Sequence, residues 1–236
     1  MNLHVTEKTP QWEQVPPKYR NHWQRRAAET KGLDTPGNRL STSGLLLVLA
    51  GLRELKKDRP MRATALVFTG RLLDLMDGTA AERTETKSPL GKRIDATADK
   101  LAMLAALSLD PRRGVLVEKG VLPKSAATLL YAHHALNGIF SPLAERKKGQ
   151  NYSPSSLGKK SSFVQWASIG VGLIAVSAKA HGAEKAGAKF KKIENLGLGL
   201  GLAMGILATM GYANDALLSG QTNKVKADQH PPPIDS

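Results

Sequence analysis

Beyond Leu40 the chain alternates apolar segments with charged connectors, and this pattern limits its fold more than any other feature. The segments are STSGLLLVLAGL, ATALVFTGRLLDLM, ATADKLAMLAALSL, KSAATLLYAHHALNGIF, SSFVQWASIGVGLIAVSA and NLGLGLGLAMGILATMGYA. All lean on Leu, Ala, Gly, Met and Val, and none alternates with the two-residue period of a half-buried strand, so about six helices are expected. A membrane span needs roughly twenty mostly apolar residues. The last two segments approach that length, whereas the first four fall short or carry polar groups, and the mean hydropathy is −0.27. Gly197, Gly199, Gly201 and Gly205 fall within one helical run, a pattern that weakens a helix in water and permits close helix packing in lipid. Lysine and arginine crowd the connectors RELKKDRPMR, ERKKGQ and KAGAKFKK alike, so their distribution assigns no sidedness. Hydropathy alone leaves a membrane bundle and a soluble one both open.

The balance of charge narrows the partners. A formal net charge of +14 over 236 residues favours anionic ones: lipid headgroups, phosphorylated small molecules or nucleic acid. Aromatic residues make up only 5% of the chain and no aromatic-rich basic motif is present, so no nucleic-acid partner is expected. The absence of cysteine excludes a disulfide framework, a thiolate metal site and a thiol nucleophile. The first forty residues are polar and lack an apolar h-region, so no secretory signal is expected there. Trp12, Tyr19, Trp23, Arg25 and Arg26 suit an amphipathic helix at a membrane interface. A solvated helix packed on the main domain accounts for them equally well.

The chemistry concentrates in DLMDGTAAERTETKSPLGKRIDATADK, Asp74 to Lys100. On a helix, Asp74, Asp77, Gly78 and Ala81 share one face, as do Gly91, Asp95 and Asp99. TETKSP supplies a turn between them, with Pro89 suited to the first position of the second helix. Such a hairpin brings four carboxylates toward one cleft, where their mutual repulsion calls for a cation. Oxygen donors without His or Cys point to Mg²⁺ or Mn²⁺, and four carboxylates suffice for two ions. Gly78 and Gly91 leave room on the same faces for a ligand against the backbone. The competing interpretation, two solvated faces with Asp95 and Asp99 paired to Arg93 and Lys100, has to obtain two acidic helix faces, each with a glycine, by accident.

The stretch resembles the signature of the CDP-alcohol phosphatidyltransferase family. In that signature Asp-x-x-Asp-Gly-x-x-Ala-Arg is followed after eight residues by Gly-x-x-x-Asp-x-x-x-Asp. Asp74, Asp77, Gly78, Ala81, Gly91, Asp95 and Asp99 match with the family's spacing. Glu82 stands where the family has arginine, and Arg83 follows it. PGNRLST, with Asn38 and Thr42, looks like the Asn-x-x-Thr lead into the family's first membrane helix, with one residue more between the two. LGKKSSFVQ, with Gly158, Lys159 and Gln165, looks like the Gly-Lys-x-x-Thr-x-x-Gln start of the fifth helix of phosphatidylglycerophosphate synthases, with Ser162 for threonine.

The resemblance implies an all-α integral-membrane bundle of about six transmembrane helices preceded by an N-terminal amphipathic interfacial helix. Residues 1–37 would form the tail and interfacial helix, 38–219 the catalytic membrane domain and 220–236 a disordered tail. The implied reaction moves a phosphatidyl group from CDP-diacylglycerol to an alcohol, releasing CMP, in phospholipid biosynthesis. It also implies two Mg²⁺ or Mn²⁺ ions on Asp74, Asp77, Asp95 and Asp99, with Asp99 doubling as the base for the acceptor hydroxyl. Gly78, Ala81 and Gly91 would contact the nucleotide, and Thr42 and Arg83 are candidate phosphate contacts. Arg146, Lys147, Lys148 and Lys159 suit a phosphorylated acceptor such as sn-glycerol 3-phosphate. They would serve equally as basic residues meeting lipid headgroups. An inositol phosphate or phosphatidylglycerol acceptor is the alternative within this chemistry, and a catalytically silent scaffold the alternative outside it. Family likeness further implies a homodimer in the cell membrane with its site facing the cytoplasm. His133 and His134 stand where other phosphate-acceptor members have Arg-Glu, and are expected to be buried and hydrogen-bonded.

Overall fold

The computed structural model of the chain describes residues 9–108, 110, 112–148 and 155–228, and among these there are eight α-helices and no strand. They are α1 (His22–Glu29), α2 (Pro36–Lys56), α3 (Pro60–Arg83), α4 (Pro89–Leu107), α5 (Val115–Glu118), α6 (Lys124–Lys148), α7 (Ser156–Ala180) and α8 (Glu184–Asp228). The six helices of 19 residues or more coincide with the six apolar segments. Two of them, α7 and the Glu184–Leu217 part of α8, are long and apolar enough to cross a membrane. Because α8 runs to Asp228, the expected tail from residue 220 overlaps its end, and 229–236 lie outside the described residues.

Local signals set the helix starts. Thr35, Ser88 and Ser155 each accept a hydrogen bond from a backbone N–H in the first turn of the helix that follows, satisfying a donor that no helical carbonyl reaches. Pro36, Pro60 and Pro89 lie at the starts of α2, α3 and α4, where their missing N–H costs nothing.

Small residues bring the helices together. On α2 and α3, a Cβ at Gly44 would lie 2.7 Å from the Gly70 carbonyl oxygen, and one at Gly70 would lie 2.6 Å from that of Gly44. No larger residue fits either position without separating the helices. On α8, Gly197, Gly201 and Gly205 recur every fourth residue and face Ser168, Gln165 and His133 respectively, the small-residue stripe that lets backbones approach closely. Gly199, off that stripe, meets nothing.

The apolar core gathers Val48, Leu55, Val67, Met103, Leu107, Leu122, Leu130, Ile169 and Leu173. It occupies the bundle beyond the polar site, which uses the N-terminal halves of α2, α4 and α7 and the C-terminal half of α3. Leu46, Phe68, Leu72, Leu136, Phe163, Leu200 and Leu207 point outward instead. In water such a surface would be an association hazard; in lipid it is the expected exterior.

The N-terminal segment is a clasp on the α3–α4 turn. Gln11 N–H donates to the Lys87 carbonyl at 3.2 Å, and Lys87 N–H donates to Gln11 Oε1 at 3.0 Å. Asn21 Nδ2 reaches the Thr84 carbonyl and Gln24 Nε2 donates to Glu85 at 2.8 Å. Trp12, for which the sequence leaves a membrane interface and packing on the main domain both open, is buried to 2% exposure and lies against Gly32, whose φ of +83° suits a residue without Cβ. Tyr19 is exposed, and Trp23 carries the Arg39 guanidinium 5.4 Å above its ring.

Candidate active site

The α3–α4 hairpin forms as the sequence predicts, with Thr84 closing α3 and Ser88 and Pro89 opening α4. Carboxylate oxygens of Asp74, Asp77 and Asp95 converge within 4.8 Å of one another. Asp77 is buried at 8% exposure and accepts a hydrogen bond from the Ser41 hydroxyl of α2. Ser41, itself buried, thereby ties α2 to the cluster.

Asp99 stands apart from that trio. One of its oxygens pairs with Arg71 Nη1 at 3.0 Å and accepts from Trp166 Nε1 at 3.2 Å; the other accepts from Ser162 Oγ at 3.4 Å. The same guanidinium pairs through Nη2 with Asp74 at 3.0 Å, while its Cζ lies 4.5 Å from the centre of the Trp166 ring. Grouped carboxylates withdrawn from water are costly unless compensated, and Arg71 compensates two of the four. Neither Arg71, Ser41 nor Trp166 was among the residues expected from the sequence. For Arg71 the signal was available, because it precedes Asp74 by three residues on the same helix face.

The other predicted positions differ in their surroundings. A Cβ on Gly78 would meet nothing within 4 Å, so the α3 surface beside Asp77 is open; one on Gly91 would meet Asn38 Oδ1 at 3.2 Å and Ser88 Oγ at 3.3 Å. Gly91 therefore serves the contact between α2 and α4, and the room anticipated for a ligand lies at Gly78. Ala81 packs on Gly37. Asn38 is buried, donating to the carbonyls of Gly32 at 2.8 Å and Leu33 at 3.0 Å. Thr42 is exposed.

Glu82 and Arg83 are both exposed at the end of α3, and Glu82 pairs with Lys87 at 3.1 Å. Among the basic candidates, Arg146, Lys147 and Lys159 are exposed; Lys148 ends α6, with its side chain outside the described residues. His133 and His134 are hydrogen-bonded inside the bundle, His133 Nδ1 to Thr209 Oγ1 at 3.1 Å and His134 Nε2 to Gln165 Oε1 at 2.9 Å.

At the approach to α2, Asp34 is held between two guanidinium groups. Arg39 Nε donates to one carboxylate oxygen at 2.6 Å and Arg26 Nε to the other. These hydrogen bonds hold the Asp34 carboxyl well below the usual carboxylate range.

Outward-facing apolar side chains, two helices long and apolar enough to cross a membrane, and an oxygen-only cluster of three acids with Asp77 buried are the features of a membrane protein whose donors suit a hard cation. Comparison with known families matches residues 35–207, well over half of the chain, to the CDP-alcohol phosphatidyltransferases. The chain belongs to that family. It is accordingly a transferase of substituted phosphate groups, moving a phosphatidyl group from a CDP-alcohol to an alcohol acceptor. The family is generally dependent on divalent metal, and the three convergent carboxylates have the donor chemistry such an ion requires. No curated protein and no solved structure matches the chain.

Proposed function

We propose that the chain transfers the phosphatidyl group of CDP-diacylglycerol to a phosphorylated alcohol, sn-glycerol 3-phosphate foremost, and releases CMP for phospholipid biosynthesis. The reading is carried by the convergence of Asp74, Asp77 and Asp95 beside the open surface at Gly78. A diphosphate can lie against backbone there and present its oxygens toward the acids. Asp74, Asp77 and Asp95 would hold Mg²⁺, which when bound would neutralise charge on the diphosphate and on the departing CMP. The second ion expected from the motif would draw on Asp99 and would have to share it with Arg71.

The acceptor hydroxyl oxygen attacks the phosphorus that carries the diacylglycerol. A new P–O bond forms while the bond to the bridging oxygen breaks, and CMP departs with that electron pair. The hydroxyl proton passes to a carboxylate oxygen of Asp99, whose orientation is fixed by Trp166 Nε1 and Ser162 Oγ. Gly78 and Ala81 line the nucleotide surface, and Thr42 and Arg83 contact phosphate from its rim. Arg146, Lys147, Lys148 and Lys159 receive the acceptor's phosphate, in keeping with the likeness of LGKKSSFVQ to phosphatidylglycerophosphate synthases.

In this reading all six long helices span the membrane, the catalytic domain is 38–219, two chains pair and the site opens to the cytoplasm. Glu82, the one departure from the motif that favours a scaffold role, is exposed and paired with Lys87. The test is CMP release by purified protein in detergent with CDP-diacylglycerol, Mg²⁺ and a panel of alcohols. The expected result is release that is greatest with sn-glycerol 3-phosphate and abolished by EDTA. No release with any acceptor would overturn the reading.

A further inference from the structure

The four motif aspartates are not equivalent. Three converge, and the fourth, Asp99, is engaged by Arg71, Trp166 and Ser162. Arg71 fits its position for three physical reasons. A guanidinium does not lose its proton in a protein, so its charge is permanent. Its planar fork offers separate N–H groups to two carboxylates, and it reaches Asp74 through Nη2 and Asp99 through Nη1, each at 3.0 Å. Its flat face lies over the Trp166 indole at 4.5 Å, and that indole is itself 6% exposed and bonded to Asp99. The stack and the two ion pairs hold one another in place.

We propose that Arg71 is a built-in counter-charge that withholds Asp99 from the metal ligands, so that the site takes one divalent cation on Asp74, Asp77 and Asp95. The inference rests on the cation reading of the cluster given above and deepens it. Asp74 meets Arg71 through a single oxygen, whereas both Asp99 oxygens accept hydrogen bonds and one of them also pairs with the guanidinium. A second dication on Asp99 would stand beside the permanent positive charge of Arg71 and would compete with the guanidinium and the indole N–H on one oxygen or with Ser162 on the other. Asp99 therefore stays outside the metal-ligand set, and Arg71 is a positioning residue for it.

The experiment counts Mn²⁺ bound to the full chain in an uncharged detergent, by the loss of the free-ion electron paramagnetic resonance signal on titration. Wild type should bind one Mn²⁺ per chain. Asp77→Asn should weaken that binding at least tenfold, and Asp99→Asn should leave it within about threefold, since Asp99 is not a ligand. Arg71→Leu should bind a second Mn²⁺ per chain and tighten the first by roughly tenfold or more, because a nearby cation has been removed. Two ions in wild type, none at all, or a tenfold loss of binding in Asp99→Asn would each overturn the proposal. If Arg71→Leu fails to fold, the wild-type count and Asp99→Asn still decide. One Mn²⁺ per chain without CMP release would remove the proposed function and leave the assignment of Arg71 standing.

Discussion

Ser41 on α2 donates its hydroxyl to the buried carboxylate of Asp77 on α3. The two residues are 36 positions apart, and this hydrogen bond ties the carboxylate to α2. Ser41→Ala should cost about 1.5–3 kcal/mol of stability, the range for a hydrogen bond to a charged group. It should also lower CMP release, because Asp77 would no longer be oriented. Thermal unfolding read alongside turnover checks both. Unchanged turnover in the destabilised variant would reduce Ser41 to a packing residue.

Asp77→Asn and Asp95→Asn each remove one charged oxygen donor from the three-carboxylate cluster. Each should abolish turnover while the helical fold persists, since an amide of the same shape still fits. Circular dichroism establishes the fold and CMP release the activity. Near-normal release in either variant at saturating substrate and metal would contradict the cluster's assigned role.

The architecture was legible in the sequence where local rules determine it. Each of the six apolar segments became a long helix, and TETKSP became the turn, with Pro89 in the first position of α4. The convergence of Asp74, Asp77 and Asp95 followed from helical spacing within one hairpin. What the sequence concealed depends on which helices pack together. Trp166 lies 67 positions from Asp99, and no local pattern pairs α7 with α4. Trp12 could be read as interfacial or as packed on the main domain, because its burial depends on docking against Gly32 and the α3–α4 turn. Gly91 looked like room for a ligand because a glycine that admits a ligand and one that admits Asn38 and Ser88 read alike in a sequence.

Asp34 gives the approach to α2 a pH signature. Its carboxyl is depressed in the folded chain by hydrogen bonds from Arg39 and Arg26. A depressed acid contributes stability above its unfolded pKa, about 3.9, and loses that contribution as pH falls toward its folded value. The difference in Tm between wild type and Asp34→Asn should therefore be constant from about pH 8 to pH 5 and shrink below about pH 4. A difference that grew on acidification would have the wrong sign for this pair of contacts.

Glu82 occupies the family's arginine position, and its carboxylate pairs with Lys87 at an exposed site. Exposed ion pairs contribute little, typically about 0–1 kcal/mol, so Glu82→Ala should change CMP release less than about twofold. Arg83→Ala should weaken CDP-diacylglycerol binding by about 1.5–3 kcal/mol, the range for a hydrogen bond to a charged group. Steady-state kinetics separate this from the opposite case, in which Glu82→Arg sharply raises release and Arg83→Ala does nothing.

The N-terminal clasp connects a region remote from the chemistry to the hairpin that carries it. Gln11, Asn21 and Gln24 hold Lys87, Thr84 and Glu85 of the α3–α4 turn, and Trp12 anchors the clasp from below. Truncating a buried tryptophan to alanine costs about 3–5 kcal/mol, and here the loss falls on the clasp rather than on the apolar core, to which Trp12 does not belong. Trp12→Ala should therefore open the turn locally without unfolding the bundle. Tryptic cleavage after Arg83 or Lys87 should accelerate at least about tenfold, because proteolysis follows the population of the open form. Cleavage within the α2–α3 connector, which the clasp does not touch, should be unchanged. Turnover should fall with the same variant, since Asp95 and Asp99 follow directly from that turn on α4. If cleavage accelerates equally at both places, Trp12 supports the whole fold and the clasp has no separate existence.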